Sequence, residues 1–531
     1  MPVGYFSLIL HAHLPFVRHP EYPEFLEEDW LYEAITEVYL PLVFIFQNLH
    51  EAGEKPRLAM NLSPPLCEML ADKLLETRYT RHLENLFKLA KKEQKRVQKD
   101  APEFYDAAKM YVENLSAALD LWNNKYGRNL INAFRQLQEE GVLEIITCGA
   151  THGFLPLIST HEARRAQIQV AVNNCKKHFG INPRGIWLPE CAYEHGIEDL
   201  LKDAGIEYFI GDSHALLYGE PRPRYGVHAP VMCPNGVAVF ARDVETSQQV
   251  WSAEVGYPGN AVYREFYRDI GWDLPLDYLK PHLHKDAARR HLGLKYHRIS
   301  GRNVPSDKKE PYIPSWAREK AAEDVADFVG KRITQAHRLR ETFDGHPPLV
   351  VAPYDAELYG HWWFEGPQFL DFLFRKFHYY QSEIKAVTPG DFLDSGLPIQ
   401  IQQPSASSWG ENGYYKVWLN ERNSWMYPYQ HDAEKKMTEL ANKYNSPNEL
   451  ENRVLNQLAR ELLLAQSSDW AFQIYQGTTV QYSSNRFKSH IHRFNLLATA
   501  LENDNINQEL LAEIENRDNI FAEIDYRMYQ S

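Results

Sequence analysis

The feature that most constrains the fold is an alternation, through the first 360 residues, of short apolar runs with longer helical stretches. The runs are rich in β-branched or aromatic residues and end at polar, Gly or Pro residues. Seven strands are predicted, at 5–10, 57–62, 143–148, 185–188, 208–211, 237–241 and 349–352. Such alternation is typical of an α/β fold with a parallel sheet or barrel. Seven strands favour a barrel over an open sheet.

Two further segments do not follow this alternation. Residues 243–348 are longer than any ordinary connection between strand and helix, and a structureless loop of that length is implausible in a compact domain. We therefore expect an inserted helical subdomain within a catalytic unit of residues 1–397. Beyond it, amphipathic helices without strands are predicted at 432–444, 450–466, 486–502 and 508–521, which indicates a C-terminal helical domain at 398–531.

Charge and composition exclude several classes of protein. The 57 Lys and Arg against 71 Asp and Glu give a net charge of −14, which argues against nucleic-acid binding. Five scattered cysteines without a CxxC pair favour neither a disulfide framework nor a zinc site. Because no segment reaches the roughly 18 apolar residues of a membrane span, and the N-terminus does not resemble a signal peptide, we expect a cytoplasmic protein without membrane contact. A monomer is favoured.

Ionisable residues follow four of the predicted strands. His11 and His13, two residues apart at the end of the first strand, can face one site. His152 follows the third strand, Glu190 the fourth and Asp355 the seventh. In a barrel the carboxyl ends of the strands carry the function. Taken singly, the histidines could be hydrogen-bonded core residues and Glu190 a helix cap, but four such placements are poorly explained by chance.

Glu190 and Asp355 would form the carboxyl pair of glycoside cleavage if they face each other across the barrel mouth. Aromatic residues make up 13% of the chain, and Trp362 and Trp363 directly follow the last strand, where rings could stack on sugars. Trp409 lies in the polar, Gly-rich sequence SSWGENG, in which a buried ring would lack a core. Other aromatic clusters, such as that around Trp425, are more typical of core.

The same pattern leaves two other hypotheses open. Some amidohydrolases hold divalent ions through an HxH at the first strand and an Asp at the last. That arrangement needs histidines after the fifth and sixth strands, and the sequence offers Asp212 and His214, then only Arg242 and Asp243. We therefore expect no metal and no cofactor. A non-catalytic glucan-binding protein is the other hypothesis.

Five motifs together resemble a known family. HAHLPFVRHPE, TCGATHGFLPL, GIWLPECAY, APYDAELYGHWWFEGP and SSWGENGYYKVWLN are similar, in order, to the five sequence regions of glycoside hydrolase family 57, and most closely to those of its 1,4-α-glucan branching enzymes. The resemblance extends from His11 to the SSDW at 467–470, nearly the whole chain. It implies an incomplete (β/α)7 barrel with an inserted helical subdomain and a C-terminal all-helical domain.

The resemblance also implies an activity and a set of site residues. It implies a retaining double displacement on α-glucan without metal, with Glu190 as nucleophile and Asp355 as general acid/base. A fragment cleaved from an α-1,4 bond would be transferred to a 6-hydroxyl. Residues that would bind the glucan are His11, His13, Trp30, His152, Arg264, Trp272, Trp362, Trp409, Trp418 and Asp469.

One part of the family pattern has no definite position in the sequence. Branching members carry a tyrosine near the tip of a flexible loop that excludes water, and the corresponding stretch is 242–269. Its first half has no tyrosine before Tyr257, so a loop tip at 247–252 would lack one. Since water competes with the acceptor for the same intermediate, an α-1,4-glucan hydrolase on the same scaffold is the alternative.

Overall fold

The computed structural model describes residues 2–252 and 255–531. Its strands are β1 Gly4–Ala12, β2 Leu58–Leu62, β3 Leu143–Ile146, β4 Gly185–Trp187, β5 Tyr208–Gly211, β6 Val231–Met232, β7 Ala238–Ala241, β8 Leu349–Asp355, β9 Ile384–Ala386 and β10 Gln400–Ile401. The helices up to β8 are α1 Glu28–Ala34, α2 Leu40–Glu51, α3 Pro64–Ala71, α4 Lys73–Asp100, α5 Tyr105–Asp120, α6 Leu130–Glu139, α7 His161–Phe179, α8 Ile197–Asp203, α9 Ser213–Leu217, α10 Val244–Trp251, α11 Ile270–Asp273, α12 Leu276–Leu279 and α13 Pro314–Thr342. Those after β8 are α14 Gly366–Tyr379, α15 Pro389–Asp394, α16 Tyr427–Lys443, α17 Glu449–Ala465, α18 Ser468–Gln476, α19 Val480–Glu502 and α20 Gln508–Arg517.

Seven parallel strands form the centre of the molecule. β1 pairs with β2 and β8, β2 with β3, β4 with β5, and β5 with β7, all in parallel. A parallel bridge between Thr147 and Ile186 joins β3 to β4. β7 and β8 meet through a hydrogen bond of 2.9 Å from the Asp243 N–H to the Val351 carbonyl, without a regular ladder among the described residues. The predicted fold class, an incomplete seven-stranded barrel, is confirmed.

Successive side chains along each barrel strand point alternately into the barrel interior and toward the surrounding helices. One face of each strand fills the interior with fully buried side chains, such as Ile9, Ile146, Trp187, Ile210 and Val351. The other face packs against the surrounding helices. Burial on both faces explains why these strands are continuous apolar runs that could be found in the sequence. The short strands β6, β9 and β10 lack such runs and were not predicted.

The segment 243–348 is less helical than predicted. Between α10 and α13, the described residues form only the four-residue helices α11 and α12 as α-helices, because prolines interrupt the chain, among them Pro275, Pro281 and Pro305. The long helix α13 packs back on the barrel, where the ring of Phe328 contacts Phe6 and Phe369. The boundaries of the subdomain stay predictions.

The C-terminal part of the chain is helical, as predicted. The four predicted helices correspond to α16, α17, α19 and α20, while α18 was missed because it is only nine residues long and directly follows α17. Asn448 and Glu451 form a capping box that starts α17. Among the helices of the described residues, none combines the length and the apolar character needed to cross a membrane.

Candidate active site

A cavity of about 640 Å³ opens at the carboxyl ends of the barrel strands. This volume is in the range of sites that bind small ligands or segments of a polymer. The cavity is lined by His11, His13, Leu14, Trp30, Glu33, Ala34, His152, Glu190, Arg242, Trp251, Asp355, Glu357, His361, Trp362, Trp409, Asp469 and Phe472. The structure therefore brings together the ionisable residues that were predicted from four separate strands.

Glu190 lies just after β4, and its carboxylate accepts three hydrogen bonds. Oε1 accepts from the Ser468 hydroxyl at 2.9 Å and from Trp418 Nε1–H at 3.2 Å, while Oε2 accepts from Trp409 Nε1–H at 2.8 Å. Its backbone is left-handed, with φ 60° and ψ 22°. Such strain in a non-glycine residue persists where surrounding contacts fix the conformation, as these three donors do.

The pKa of Glu190 reflects a balance between burial and these donors. Burial and, to a smaller extent, the nearby Asp469 carboxylate raise the pKa of Glu190, while the hydrogen bonds from Trp409 and Ser468 lower it, and the result is a pKa of about 7. The donors favour the charged form, so Glu190 can ionise near neutral pH despite its buried position.

Asp355 has the opposite surroundings. It ends β8, next to His11 of β1 in the strand register. None of the described residues donates a hydrogen bond to its carboxyl group within the usual distance. Burial raises the pKa of Asp355 well above its ordinary value, Glu357 and Glu190 add to this, and only Arg242 lowers it. Glu190, with its three donors, therefore ionises more readily than Asp355, and such a difference between two carboxyl groups in one cavity separates a nucleophile from an acid.

Glu357 is a third carboxyl group in the cavity that the sequence analysis did not single out. Its Oε1 accepts hydrogen bonds from the Tyr39 hydroxyl at 2.5 Å and from the His13 backbone N–H at 3.2 Å. Burial raises its pKa to about 7. The signal for it was present, since it lies two residues beyond Asp355 in the same motif.

A chain of hydrogen bonds leads through two histidines to Glu190. The Asn61 amide donates to His11 Nδ1 at 2.6 Å, which leaves His11 Nε2–H to donate to His152 Nε2 at 3.1 Å. His152 Nδ1–H then donates to the Ser468 hydroxyl at 2.8 Å, and this hydroxyl donates to Glu190. Burial lowers the pKa of both His11 and His152, so the rings are neutral, as this directional chain requires.

His13 and Asp469 form a buried pair beside this chain. His13 Nε2 lies 3.1 Å from Asp469 Oδ2, and His13 Nδ1 lies 2.8 Å from the Ser63 hydroxyl. Burial alone would lower the pKa of His13, but the Asp469 carboxylate raises it above its ordinary value. Burial opposes the ionisation of Asp469, yet the charge of His13 lowers its pKa to about 2. The pair is therefore charged at neutral pH.

Among the described residues, three groups of side chains have ligand atoms close enough to share a metal ion: His11, Cys148 and His152; His13, His152 and Asp469; and Glu461, His490 and Asp518. The rings of His13 and His152 are stacked, with centroids 3.9 Å apart and planes 12° apart. Ring nitrogens bind metals in the plane of the ring, so two stacked rings cannot converge on one ion without turning. In the third group, Arg486 donates to His490 and Arg493 donates to Asp518, so these two side chains already have cationic partners.

The predicted glucan-binding tryptophans differ in position. Trp30, Trp362 and Trp409 line the cavity, and so does Trp251, which the sequence analysis did not select. Trp418 is only 1% exposed, so its ring cannot stack on a sugar, and the prediction that it does so is wrong. Its Nε1–H contacts Glu190 instead. Trp272 is 53% exposed but is not among the described residues that line the cavity.

Arg264 also differs from its prediction as a glucan-binding residue. It is buried beneath the loop that follows β8 and is not among the lining residues. Its Nη2 donates to the His361 carbonyl at 3.1 Å, and its Nη1 lies 3.8 Å from Glu37 Oε1. Glu37 Oε2 in turn lies 2.7 Å from His361 Nδ1. Arg264 thus positions His361 from below rather than facing the cavity.

The stretch 242–269 is not a simple loop. The predicted tip, 247–252, is mostly the second half of α10, which ends at Trp251, and Ala253 and Glu254 lie outside the described residues. The Tyr257 hydroxyl donates to Asp327 at 2.7 Å and its ring packs near Phe328 and Phe369, so Tyr257 does not line the cavity. Trp251 is the aromatic residue that this stretch contributes to the cavity.

Comparisons with known proteins cover nearly the whole chain. Residues 7–347 match glycosyl hydrolase family 57, and residues 429–529 match the C-terminal region of 1,4-α-glucan branching enzymes. A 1,4-α-glucan branching enzyme of Thermococcus kodakarensis is 36% identical over 99% of this chain and 79% of its own length. Among solved structures, the α-amylase AmyC of Thermotoga maritima is 45% identical, with a TM-score of 0.93 and coverage of 100% of this chain and 99% of that chain. A branching enzyme of Pyrococcus horikoshii is 36% identical, with a TM-score of 0.89 and coverage of 100% and 97%.

Proposed function

This chain belongs to glycosyl hydrolase family 57, and from that premise we propose that it is a 1,4-α-glucan branching enzyme. Its substrate is an α-glucan of the amylose or glycogen type. The enzyme cleaves an α-1,4 bond and transfers the fragment to a 6-hydroxyl, which creates an α-1,6 branch. The match of residues 429–529 to the C-terminal region of branching enzymes supports this choice within the family.

The observation that carries the mechanism is the difference between the two carboxyl groups. Three donors stabilise Glu190 as an anion, so it acts as the nucleophile on the anomeric carbon. Asp355 has a raised pKa and therefore holds the proton that the leaving oxygen needs. After the glucosyl ester has formed on Glu190, Asp355 takes a proton from the acceptor 6-hydroxyl, which attacks the ester. Two inversions retain the α configuration.

The other cavity residues bind the sugar chain. His11, His13, His152 and Asp469 line the part of the cavity that takes the reacting glucose, and the histidine nitrogens, already hydrogen-bonded within the site, hold Asp469 and Ser468 in place beside it. Trp30, Trp362 and Trp409 offer ring faces. Trp272 would contact a longer chain beyond the cavity. Arg264 and Trp418 act indirectly, through His361 and Glu190.

We also propose that residues 1–397 form the catalytic unit and that 398–531 complete it. Trp409, Trp418, Ser468 and Asp469 all come from the second part, and without them Glu190 would lose its three donors and His13 its charged partner. The C-terminal part is therefore needed for the chemistry as well as for glucan binding.

An α-1,4-glucan hydrolase is the second candidate function. The 45% identity to a protein described as an α-amylase favours it. Both activities use the same glucosyl ester and differ in whether water or a sugar hydroxyl attacks it. Trp251, at the end of α10, supplies an aromatic side chain to the cavity from the stretch where the family's loop tyrosine is expected.

The experiment that separates the two functions is product analysis. Purified protein is incubated with amylose, and α-1,6 linkages are measured by proton NMR alongside new reducing ends. A branching enzyme forms α-1,6 linkages in excess of reducing ends. Reducing ends that rise without an α-1,6 signal would rule out branching and leave the hydrolase.

A further inference from the structure

A row of aromatic rings leads from the cavity to the surface of the molecule. Its members, in spatial order, are Trp251, Trp362, His361, Phe266 and Tyr267, and we refer to them as the ring row. Successive ring centroids lie 6.1, 6.1, 5.1 and 5.1 Å apart. The first three residues line the cavity. The row is thus continuous from the cavity to its outer end.

Packing of the core does not account for this row. Trp251 and Trp362 are exposed, Phe266 is half-buried, and Tyr267 is 78% exposed. None of the described residues forms a hydrogen bond with the Tyr267 hydroxyl. Exposed apolar side chains that stand singly need no explanation, but a continuous set that ends in an active-site cavity is typical of a binding surface.

Buried charges hold the middle of the row in place. The Lys295 ammonium lies 4.2 Å from the centroid of the Phe266 ring. His361 is held by Glu37 through its Nδ1 and by Arg264 through its carbonyl. A ligand that stacks on rings already fixed in this way loses less conformational entropy than one that must order them.

The position of the row relative to Asp355 indicates which part of the substrate it binds. His361 and Trp362 belong to the connection that directly follows Asp355, the last residue of β8. In a double displacement the general acid/base must reach first the leaving oxygen and then the acceptor hydroxyl, so both lie on its side of the reacting bond. Glu190, by contrast, is held by Trp409, Trp418 and Ser468 from the C-terminal helical part.

We propose that the ring row binds the α-glucan chain on the leaving-group and acceptor side of the reacting bond, with Tyr267 as its outermost contact. The inference rests on the proposed function for the identity of the glucan. The C–H faces of glucose pack flat on aromatic rings and bury apolar area there. Long chains reach Tyr267, whereas short ones end within the cavity. The row therefore selects long acceptors.

The test uses binding first, so that it does not depend on the product formed. In a Glu190→Gln background, affinities for long amylose and for maltotetraose are measured by calorimetry for Tyr267→Ala. We expect about threefold to tenfold weaker binding of amylose, the size of one aromatic contact, with maltotetraose changed by less than about twofold. Tyr267→Phe keeps the ring and should bind as the parent does.

Tyr380→Ala is the matched control. Tyr380 is 76% exposed, follows the end of α14, and contacts Lys376 and Tyr379 rather than any cavity residue. If Tyr267→Ala binds amylose as tightly as Tyr380→Ala does, the proposal is wrong. Thermal unfolding of both variants verifies that the fold is intact.

A second measurement distinguishes the acceptor side from the donor side. In the active enzyme, Tyr267→Ala should lower the ratio of α-1,6 linkages to reducing ends. The variant binds the acceptor chain more weakly, whereas water reaches the glucosyl ester as before. A ratio unchanged from that of Tyr380→Ala, despite weaker binding, would place the row on the donor side and overturn the assignment. If the unaltered enzyme forms no α-1,6 linkages at all, branching fails, but the binding result still decides whether the row binds glucan.

Discussion

At the scale of single residues, the roles of the two carboxyl groups depend on neighbours that are distant in the sequence. Glu190 and Asp355 could be selected from the sequence because each follows a recognisable strand. The donors to Glu190 come from 219 to 278 residues away, and no local pattern relates them to it. The sequence therefore predicts which carboxyl groups meet, whereas their surroundings, which set the acid and the nucleophile, require the structure.

The Ser468 hydroxyl gives a test of the surroundings of Glu190. Glu190 must be ionised to attack, so kcat/KM falls as the pH drops through the pKa of Glu190, about 7. The Ser468 hydrogen bond lowers this pKa, and its loss in Ser468→Ala raises it. We expect the acidic limb of the kcat/KM profile to move upward by about half a pH unit or more, the effect of one hydrogen bond.

The control for this prediction is Ser407→Ala. Ser407 is also buried, and its hydroxyl has no hydrogen-bond partner among the described residues, so its removal should leave the pH profile in place. An acidic limb that stays at the same pH in Ser468→Ala, or moves to lower pH, would show that this hydroxyl does not stabilise the Glu190 anion.

Trp418 and Arg264 show where reasoning from single residues fails. The family resemblance implies that Trp418 binds the glucan, yet its ring is buried and its Nε1–H donates to Glu190. The resemblance likewise implies that Arg264 binds the glucan, yet Arg264 lies beneath His361. Residue type could not distinguish contact with substrate from contact with a residue that touches substrate.

At the scale of elements, a π-helical turn at Ile35–Tyr39 meets the connection after β8. This turn, between α1 and α2, carries Glu37, which holds His361, and Tyr39, which holds Glu357. Gly360 fits closely against it, because a Cβ at this position would lie 1.9 Å from the Glu37 carbonyl oxygen. Its φ of 127° is also a conformation that other residues rarely adopt. The two elements can pack together only with glycine here.

Gly360→Ala should therefore displace the connection that carries His361 and Trp362. We expect a loss of at least about 2 kcal/mol in the free energy of unfolding, because backbone strain and a backbone clash combine. Weaker glucan binding should accompany it. Chemical denaturation and calorimetry with amylose measure the two effects.

Gly396→Ala serves as the comparison for this variant. Gly396 has a φ of 69°, but a Cβ there meets open space, so only backbone strain of about 1 kcal/mol is added. Equal stability of the two variants would show that the contact with the π-helical turn is unimportant.

The elements that the sequence predicted well are those with a strong hydrophobic pattern, either a continuous apolar run or a clear helical period. The seven barrel strands are apolar on both faces, and α16, α17, α19 and α20 are long enough to show a clear amphipathic pattern. The connection between α10 and α13 was predicted poorly. Its conformation is fixed by long-range contacts, such as the Asp269 carboxylate, which accepts hydrogen bonds from the backbone of Gly271, Leu292 and Gly293.

At the scale of the whole molecule, the active site is shared between the barrel and the C-terminal helices. The backbone N–H of Ser468 donates to the His152 carbonyl at 3.0 Å, and Ser467 bridges to Gly153. These contacts join the start of α18 to the connection after β3. The sequence predicted both parts of the chain but could not show that they meet at Glu190.

The net charge of −14 is not used in substrate recognition, because an α-glucan is neutral. Screening by salt should therefore leave the encounter with substrate unaffected. We expect KM for amylose to change by less than about twofold between low salt and roughly 0.5 M NaCl. A steep dependence of KM on salt, measured by initial rates, would indicate a charged ligand instead.

Glu190 should form a covalent glucosyl ester that Asp355 helps to resolve. Maltotriosyl fluoride tests it most directly in Asp355→Asn, because fluoride leaves without an acid while the second step still needs the base. We expect the glycosyl group on the peptide that contains Glu190, found by mass spectrometry after rapid acid quenching and proteolysis. Glu190→Gln should carry no adduct and should turn over glucan at least ~10³-fold more slowly. An adduct on Glu357 or Asp469 would show that Glu190 is not the nucleophile, and fluoride release with inversion and no adduct would show that no covalent intermediate forms.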